Sequence, residues 1–165
     1  MRRVRFGARR RGGSLSEADE TGEAIDARAR VVAWARAELG VQDPNKYYRI
    51  AAPQFADRGH EHDVSWCGVF CLAALRECGL TDMEWVTGKG FVYKLALTDA
   101  PEPGDIAVFG PPLWHHAIVE RLEGGLLHTI DGNTMTRPIE GVTARKRALS
   151  PQIDFYSLGR LISQS

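Results

Sequence analysis

The chain has 165 residues, 44% apolar and 25% charged, and its 21 basic and 21 acidic side chains leave no formal net charge. That length predicts one domain with enough chain for a core, and the charge balance excludes an overall field that would draw the chain to nucleic acid or an anionic membrane. Three cysteines, an odd number, exclude a complete disulfide framework within a monomer, and no apolar run reaches the roughly 18 residues of a membrane-spanning helix.

Residues 1–23 read as a charged tail. Arg2, Arg3, Arg5, Arg9, Arg10 and Arg11 form a basic arm, Gly12-Gly13 follows, and Glu17, Asp19, Glu20 and Glu23 make an acidic sequel. Few large apolar side chains are present to offset the entropy of ordering, so disorder is expected. A solvated terminus accounts for the arm. So does a docking tail for a delivery apparatus or phage particle, and the functional alternative is binding to anionic wall polymers, membrane or nucleic acid. The basic start lacks a following apolar segment, so a secretory signal peptide is not expected and the chain is read as made in the cytoplasm.

Ile25, Ala29, Val32, Ala35 and Leu39 keep the spacing of one helix face, with Thr21 as a candidate cap and Gly40 as the stop. Asp43-Pro44 is an N-cap followed by proline at the first helical position, which predicts a short helix through Tyr47, Tyr48 and Arg49. Both tyrosines are candidates for a substrate groove, beside ordinary packing. Gly59-His60-Glu61-His62-Asp63 has metal-ligand residue types. It stands alone, without the rest of a metallohydrolase signature, so no metal is expected.

Asp63-Val64-Ser65-Trp66-Cys67 then opens an apolar helical run ending at Glu77-Cys78, where Gly79 terminates it. Asp63 or Ser65 can cap this helix. Cys67 falls in its first turn, where the helix dipole and free N–H groups favour a thiolate and can later hold an oxyanion. Cys71 and Cys78 share the face and read as core. A short helix is expected around Phe91–Leu95, with Trp85 and Lys89 as candidate groove residues. Pro103-Gly104-Asp105 is turn chemistry, with Asp105 bonding the turn backbone. Strands are expected over Ile106–Phe109, Ala117–Leu122 and Leu126–Ile130, with Gly124-Gly125 at a hairpin corner. A further strand leads up to Arg147, and Ile153–Ile162 closes the sheet. Consecutive strands without intervening helices predict an antiparallel sheet and an α+β class.

A nucleophilic cysteine needs a histidine near in space, and His115 and His116 begin the second strand. Asp131-Gly132-Asn133 ends the third. Ser65-Trp66-Cys67-Gly68-Val69-Phe70, Pro103-Gly104-Asp105-Ile106-Ala107-Val108-Phe109, His116-Ala117-Ile118-Val119 and Asp131-Gly132-Asn133-Thr134 together resemble the CHAP family of cysteine- and histidine-dependent amidohydrolases/peptidases, relatives of the NlpC-type cell-wall peptidases. The resemblance runs from about Ala24 to the C-terminus. It departs at Phe70-Cys71, where the family carries Phe-Val.

The resemblance implies a papain-like fold, with a nucleophile-bearing helix packed on an antiparallel sheet, and cleavage of amide bonds in bacterial peptidoglycan. It selects His116 as the base for Cys67. Asp131 or Asn133, on one side of an extended strand, would orient the ring of His116. The Cys67 N–H is the first oxyanion donor, with Gln54 or Ser65 as side-chain candidates. Trp66, Trp114, Tyr48 and His115 are the candidate substrate contacts, while His128 and Asp105 read as structural. The expected protein is a monomer without a cofactor. It acts at the cell wall after lysis-hole release, phage delivery or secretion. Two alternatives stand beside it: a Cys–His enzyme acting on protein substrates, and a non-catalytic domain of the same fold.

Overall fold

The computed structural model describes residues 17–56, 65–85, 90–111, 114–136 and 139–164. The arginine arm, the His60–Asp63 cluster with its Asp63 cap, and Lys89 lie outside the described residues.

Among the described residues three α-helices precede the sheet: α1 (Glu17–Ala37), α2 (Pro44–Ala51) and α3 (Cys67–Glu77). Helix α1 begins inside the segment expected to be tail. Its buried face also differs from the expected stripe. Ala27, Val31, Val32 and Ala35 point inward, while Ile25 is 69% exposed and Leu39 44%. The rotation follows from two anchors. The Trp34 ring packs against Tyr47 and Phe70 at centroid distances of 6.1 and 5.6 Å, and Arg28 reaches Asp105 on the buried side. Gly40, at φ +86°, ends the segment as expected and donates its N–H to Val142 O at 2.9 Å.

Helix α2 forms as its sequence dictates. The Asp43 side chain accepts from Asn45 N at 3.0 Å and Pro44 takes the first turn. Helix α3 is apolar on every side, and each residue from Cys67 to Leu75 is buried, which marks an internal helix rather than an amphipathic surface one. Gly79, at φ +71°, closes it: its N–H bonds Arg76 O at 2.9 Å and Leu80 N–H bonds Leu75 O at 3.0 Å.

Among the described residues six strands make one sheet: β1 (Ala96–Thr98), β2 (Ile106–Phe109), β3 (His115–Glu123), β4 (Leu126–Thr136), β5 (Ile139–Ala148) and β6 (Ile153–Ser157), in the order β1-β6-β2-β3-β4-β5. Every pairing is antiparallel, so the chain is α+β. Strand β1 was not expected from the sequence. Strand β6 does not close an edge but inserts between β1 and β2, and a final turn of helix, α4 (Gly159–Ile162), follows it. Gly124 and Gly125, at φ +59° and +75°, form the β3–β4 corner.

One face of the sheet packs on the helices. Val108, Ile118, Ile130 and Val142 join Phe70, Leu72, Leu75 and Trp66 in the main core. The other face carries a smaller cluster of Ala107, Val119 and Leu127, with Phe109, Ile153 and Phe155 at its margin. Among the described residues no helix is long and apolar enough to cross a membrane.

Candidate active site

Cys67 is the first residue of α3, 3% exposed. Trp66 occupies the cap position without a side-chain cap bond. Ser65, expected as a cap, instead places its Oγ 3.3 Å from Cys67 Sγ and accepts from Asn133 Nδ2 at 3.0 Å. The first intrahelical bond is donated by Phe70 N to Trp66 O at 2.9 Å, so the N–H groups of Cys67, Gly68 and Val69 lie ahead of the helical ladder at its positive end.

The two histidines open β3. His116 pairs across to Val108 and faces the helices. It is 4% exposed, with Nδ1 3.6 Å from Cys67 Sγ. His115 faces the other way, 5.9 Å from the Phe109 ring, with Nε2 2.8 Å from Asp131 Oδ2. The orienting contact therefore differs from the expected one. Asp131 meets His115, Asn133 meets Ser65, and among the described residues the buried Nε2 of His116 has no partner. Strand alternation is the reason. Ile130 pairs with Ile118 and shares the face of His116, so Asp131, one residue on, falls on the face of His115. Asn133 does not follow Asp131 as an extended strand would place it. The register shifts between Asp131 and Thr134, and Asn133 sits at φ 58°.

Arg147, which nothing in the sequence pattern singled out, completes the cluster from β5. Its guanidinium bonds both carboxylate oxygens of Asp131, with Nη1 3.2 Å from Oδ1, and lies 4.6 Å from the Phe109 ring centroid. Thr129 Oγ1 donates to the same Oδ1. Asp131 is fully buried and every described neighbour donates to it. Burial pushes its carboxyl up, but the His115 and Arg147 bonds outweigh that and hold it below the usual range.

The sulfur and His115 form the electrostatic centre. Burial pushes the Cys67 thiol up. Hydrogen bonds and charge from His115 and His116 outweigh burial and bring it down to about 5. Burial pushes His115 down, and its bonds to Asp131 and Cys67 outweigh that and raise it to about 9. Between those values the geometry favours a thiolate beside an imidazolium.

Of the expected substrate contacts, Trp114 is 52% exposed beside His115, and His115 itself is part-buried in the cluster. Trp66 and Tyr48 are buried, 1% and 2% exposed, and the Tyr48 hydroxyl is pushed up by burial and by the charge of Cys67. Trp66 stacks on Tyr47 at 5.3 Å and Tyr48 packs against Phe55, because the buried faces of α2 and α3 meet there. Trp85 is likewise buried, with its ring against Phe91. Among the described residues no group of three or more His, Cys, Asp or Glu side chains is placed to hold a metal ion.

Fold and site together describe an α+β chain with a thiol at a helix start, two imidazoles around it, and a carboxylate behind one of them. Compared with models of known protein families, with curated proteins and with solved structures, the chain matches none.

Proposed function

We propose that the chain is a cysteine hydrolase of papain-like arrangement that cleaves an amide bond in bacterial peptidoglycan, either the N-acetylmuramoyl–L-alanine amide or a bond of the peptide stem or cross-bridge. The observation that carries the hydrolase reading is the Cys67 sulfur at the start of α3, with His116 Nδ1 3.6 Å away and its thiol lowered by both imidazoles; His115, whose far nitrogen Asp131 holds at 2.8 Å, takes the acid/base role expected of His116. A nucleophile, an acid/base and an orienting carboxylate are thus in one cluster. The wall substrate comes from the resemblance of the four motifs. Trp114, exposed beside His115, is the candidate substrate contact that the burial pattern retains.

The steps follow from this arrangement. The Cys67 thiolate attacks the scissile carbonyl carbon, forming a C–S bond as the carbonyl electron pair moves to oxygen. The N–H groups at the start of α3 hold that oxyanion. Nε2 of His115 is occupied by Asp131, so Nδ1 delivers the proton to the leaving amine as the C–N bond breaks. Water then attacks the thioester, giving its proton to the same nitrogen, and the C–S bond breaks to return the thiolate. Arg147 and Thr129 fix Asp131, and through it the tautomer and orientation of His115.

The test uses purified sacculi of several wall types, incubated with the protein or with Cys67→Ala and analysed by mass spectrometry. Fragments are expected only from the protein with its thiol, and their new termini identify the bond. A freed L-Ala amine marks an amidase, and a freed stem or bridge amine an endopeptidase. Equal release by Cys67→Ala, or no release by folded, reduced protein from any sacculus, overturns the reading.

A further inference from the structure

Neighbouring residues of a strand point to opposite faces, yet both imidazoles lower the Cys67 thiol, and His116 Nδ1 stands 3.6 Å from its sulfur. They differ in what stands behind them. His115 has the Asp131 carboxylate at its far nitrogen. Among the described residues His116 has no partner there: its Nε2 is buried without a hydrogen bond, and its ring lies 5.6 Å from that of Phe91, which in turn packs on Trp85. The enclosure is close. A Cβ added at Gly68 would stand 2.5 Å from Trp85 Cη2 and 3.3 Å from His116 Nδ1, so the bare glycine in the first turn of α3 is what lets the ring approach the thiol.

The position of the proton on His116 follows. Among the described residues a proton on Nε2 would have no acceptor. A proton on Nδ1 points at the sulfur 3.6 Å away. We propose that His116 is a second catalytic residue, which donates a hydrogen bond from Nδ1–H to the Cys67 sulfur while His115 carries out the proton transfers. Its proton never leaves the ring. It supports the thiolate before attack. In deacylation it supports the sulfur again, as the C–S bond breaks and the electron pair returns to Sγ. The role rests on Cys67 being the nucleophile, but not on peptidoglycan being the substrate.

Two measurements on the full chain test it, and neither uses a substrate, so a failure on sacculi and a failure here are separate results. The first is long-range proton–nitrogen correlation at pH 7 on protein labelled in its histidine nitrogens, with assignments from His115→Gln and His116→Gln. His116 is expected to carry a proton on Nδ1, and His115 to be protonated on both nitrogens.

The second is the rate of Cys67 alkylation by iodoacetamide against pH. In His116→Gln, whose amide still donates, the half-rise should stay within about half a unit of the parent. In His116→Phe, which fills the space without a donor, it should move up by one to two units, about ten- to a hundredfold in thiolate population at a given pH below the half-rise. In His115→Phe it should move to the ordinary thiol range. A His116 whose Nδ1 carries no proton overturns the assignment. So does loss of the low half-rise in both His116 variants with its retention in His115→Phe, since His116 would then be the base. If His116→Phe does not fold, the spectra and His116→Gln decide.

Discussion

At Cys67 burial and hydrogen bonding pull in opposite directions, and the two imidazoles win. The sign of the pH dependence follows. As pH falls through about 5 the thiolate takes up its proton, and as pH rises through about 9 His115 loses its own. Alkylation needs only the thiolate, so its rate should half-rise near pH 5 and stay high at alkaline pH. Hydrolysis needs His115 charged as well, so activity should be bell-shaped, falling on both sides of that window. Burial pushes the Cys71 and Cys78 thiols up, so at pH 6 peptide mapping should find the label on Cys67 alone. A half-rise in the ordinary range, about 8.5, or equal labelling of Cys78, would show that the imidazoles do not reach the sulfur as described.

At the scale of elements, the site depends on two irregular places rather than on regular helix or strand. One is the start of α3, where Gly68 admits the rings of Trp85 and His116. The other is the bulge in β4. There Gly132 packs so closely under α3 that an added Cβ would lie 2.6 Å from Phe70 Cβ, 2.7 Å from Phe70 Cγ and 2.8 Å from Trp66 Cζ3. Both neighbours are fully buried and have no room to give. Gly132→Ala should therefore destabilise the fold by about 1–3 kcal/mol, the usual cost of overpacking. It should also move Asp131 and Asn133 on either side, raising the half-rise of Cys67 alkylation. Urea unfolding checks the first effect and alkylation of the folded fraction the second. Parent-like stability would mean that β4 does not pack on α3 this closely.

Across the whole molecule, Asp105 ties segments far apart in sequence. Its fully buried carboxylate accepts from Arg28 Nη1 of α1 at 2.5 Å, Glu102 N of its own turn at 2.9 Å and Leu158 N after β6 at 3.0 Å. Arg28 also bonds Pro103 O and Ser157 Oγ, each at 3.2 Å. Removing one member of such a set leaves buried groups unpaired. Asp105→Ala should cost about 3–5 kcal/mol, measured as a lowered denaturant midpoint. The sulfur's surroundings are built by α3, β3 and β4, so Cys67 in the folded fraction should keep its low half-rise. A loss under about 1 kcal/mol would remove Asp105 as the tie.

Much of this was legible in the sequence because it is local. A proline after an aspartate starts α2, glycines end α1 and α3 and turn β3 into β4, and an apolar run makes α3 an internal helix. Cys67 at a helix start, and histidines leading into the second strand after the Pro-Gly-Asp turn, follow from such signals. What required the tertiary structure depends on how elements meet. The inward face of α1 was set by where Trp34 and Arg28 found partners, not by its own periodicity. The place of β6 inside the sheet was a choice among strand orders. Tyr48 and Trp66 proved to be core because α2 packs on α3. The allotment of Asp131 to His115 rather than His116 came from cross-strand register and a bulge, since a shift of one residue exchanges the faces of a strand and no residue carries its register in its own identity.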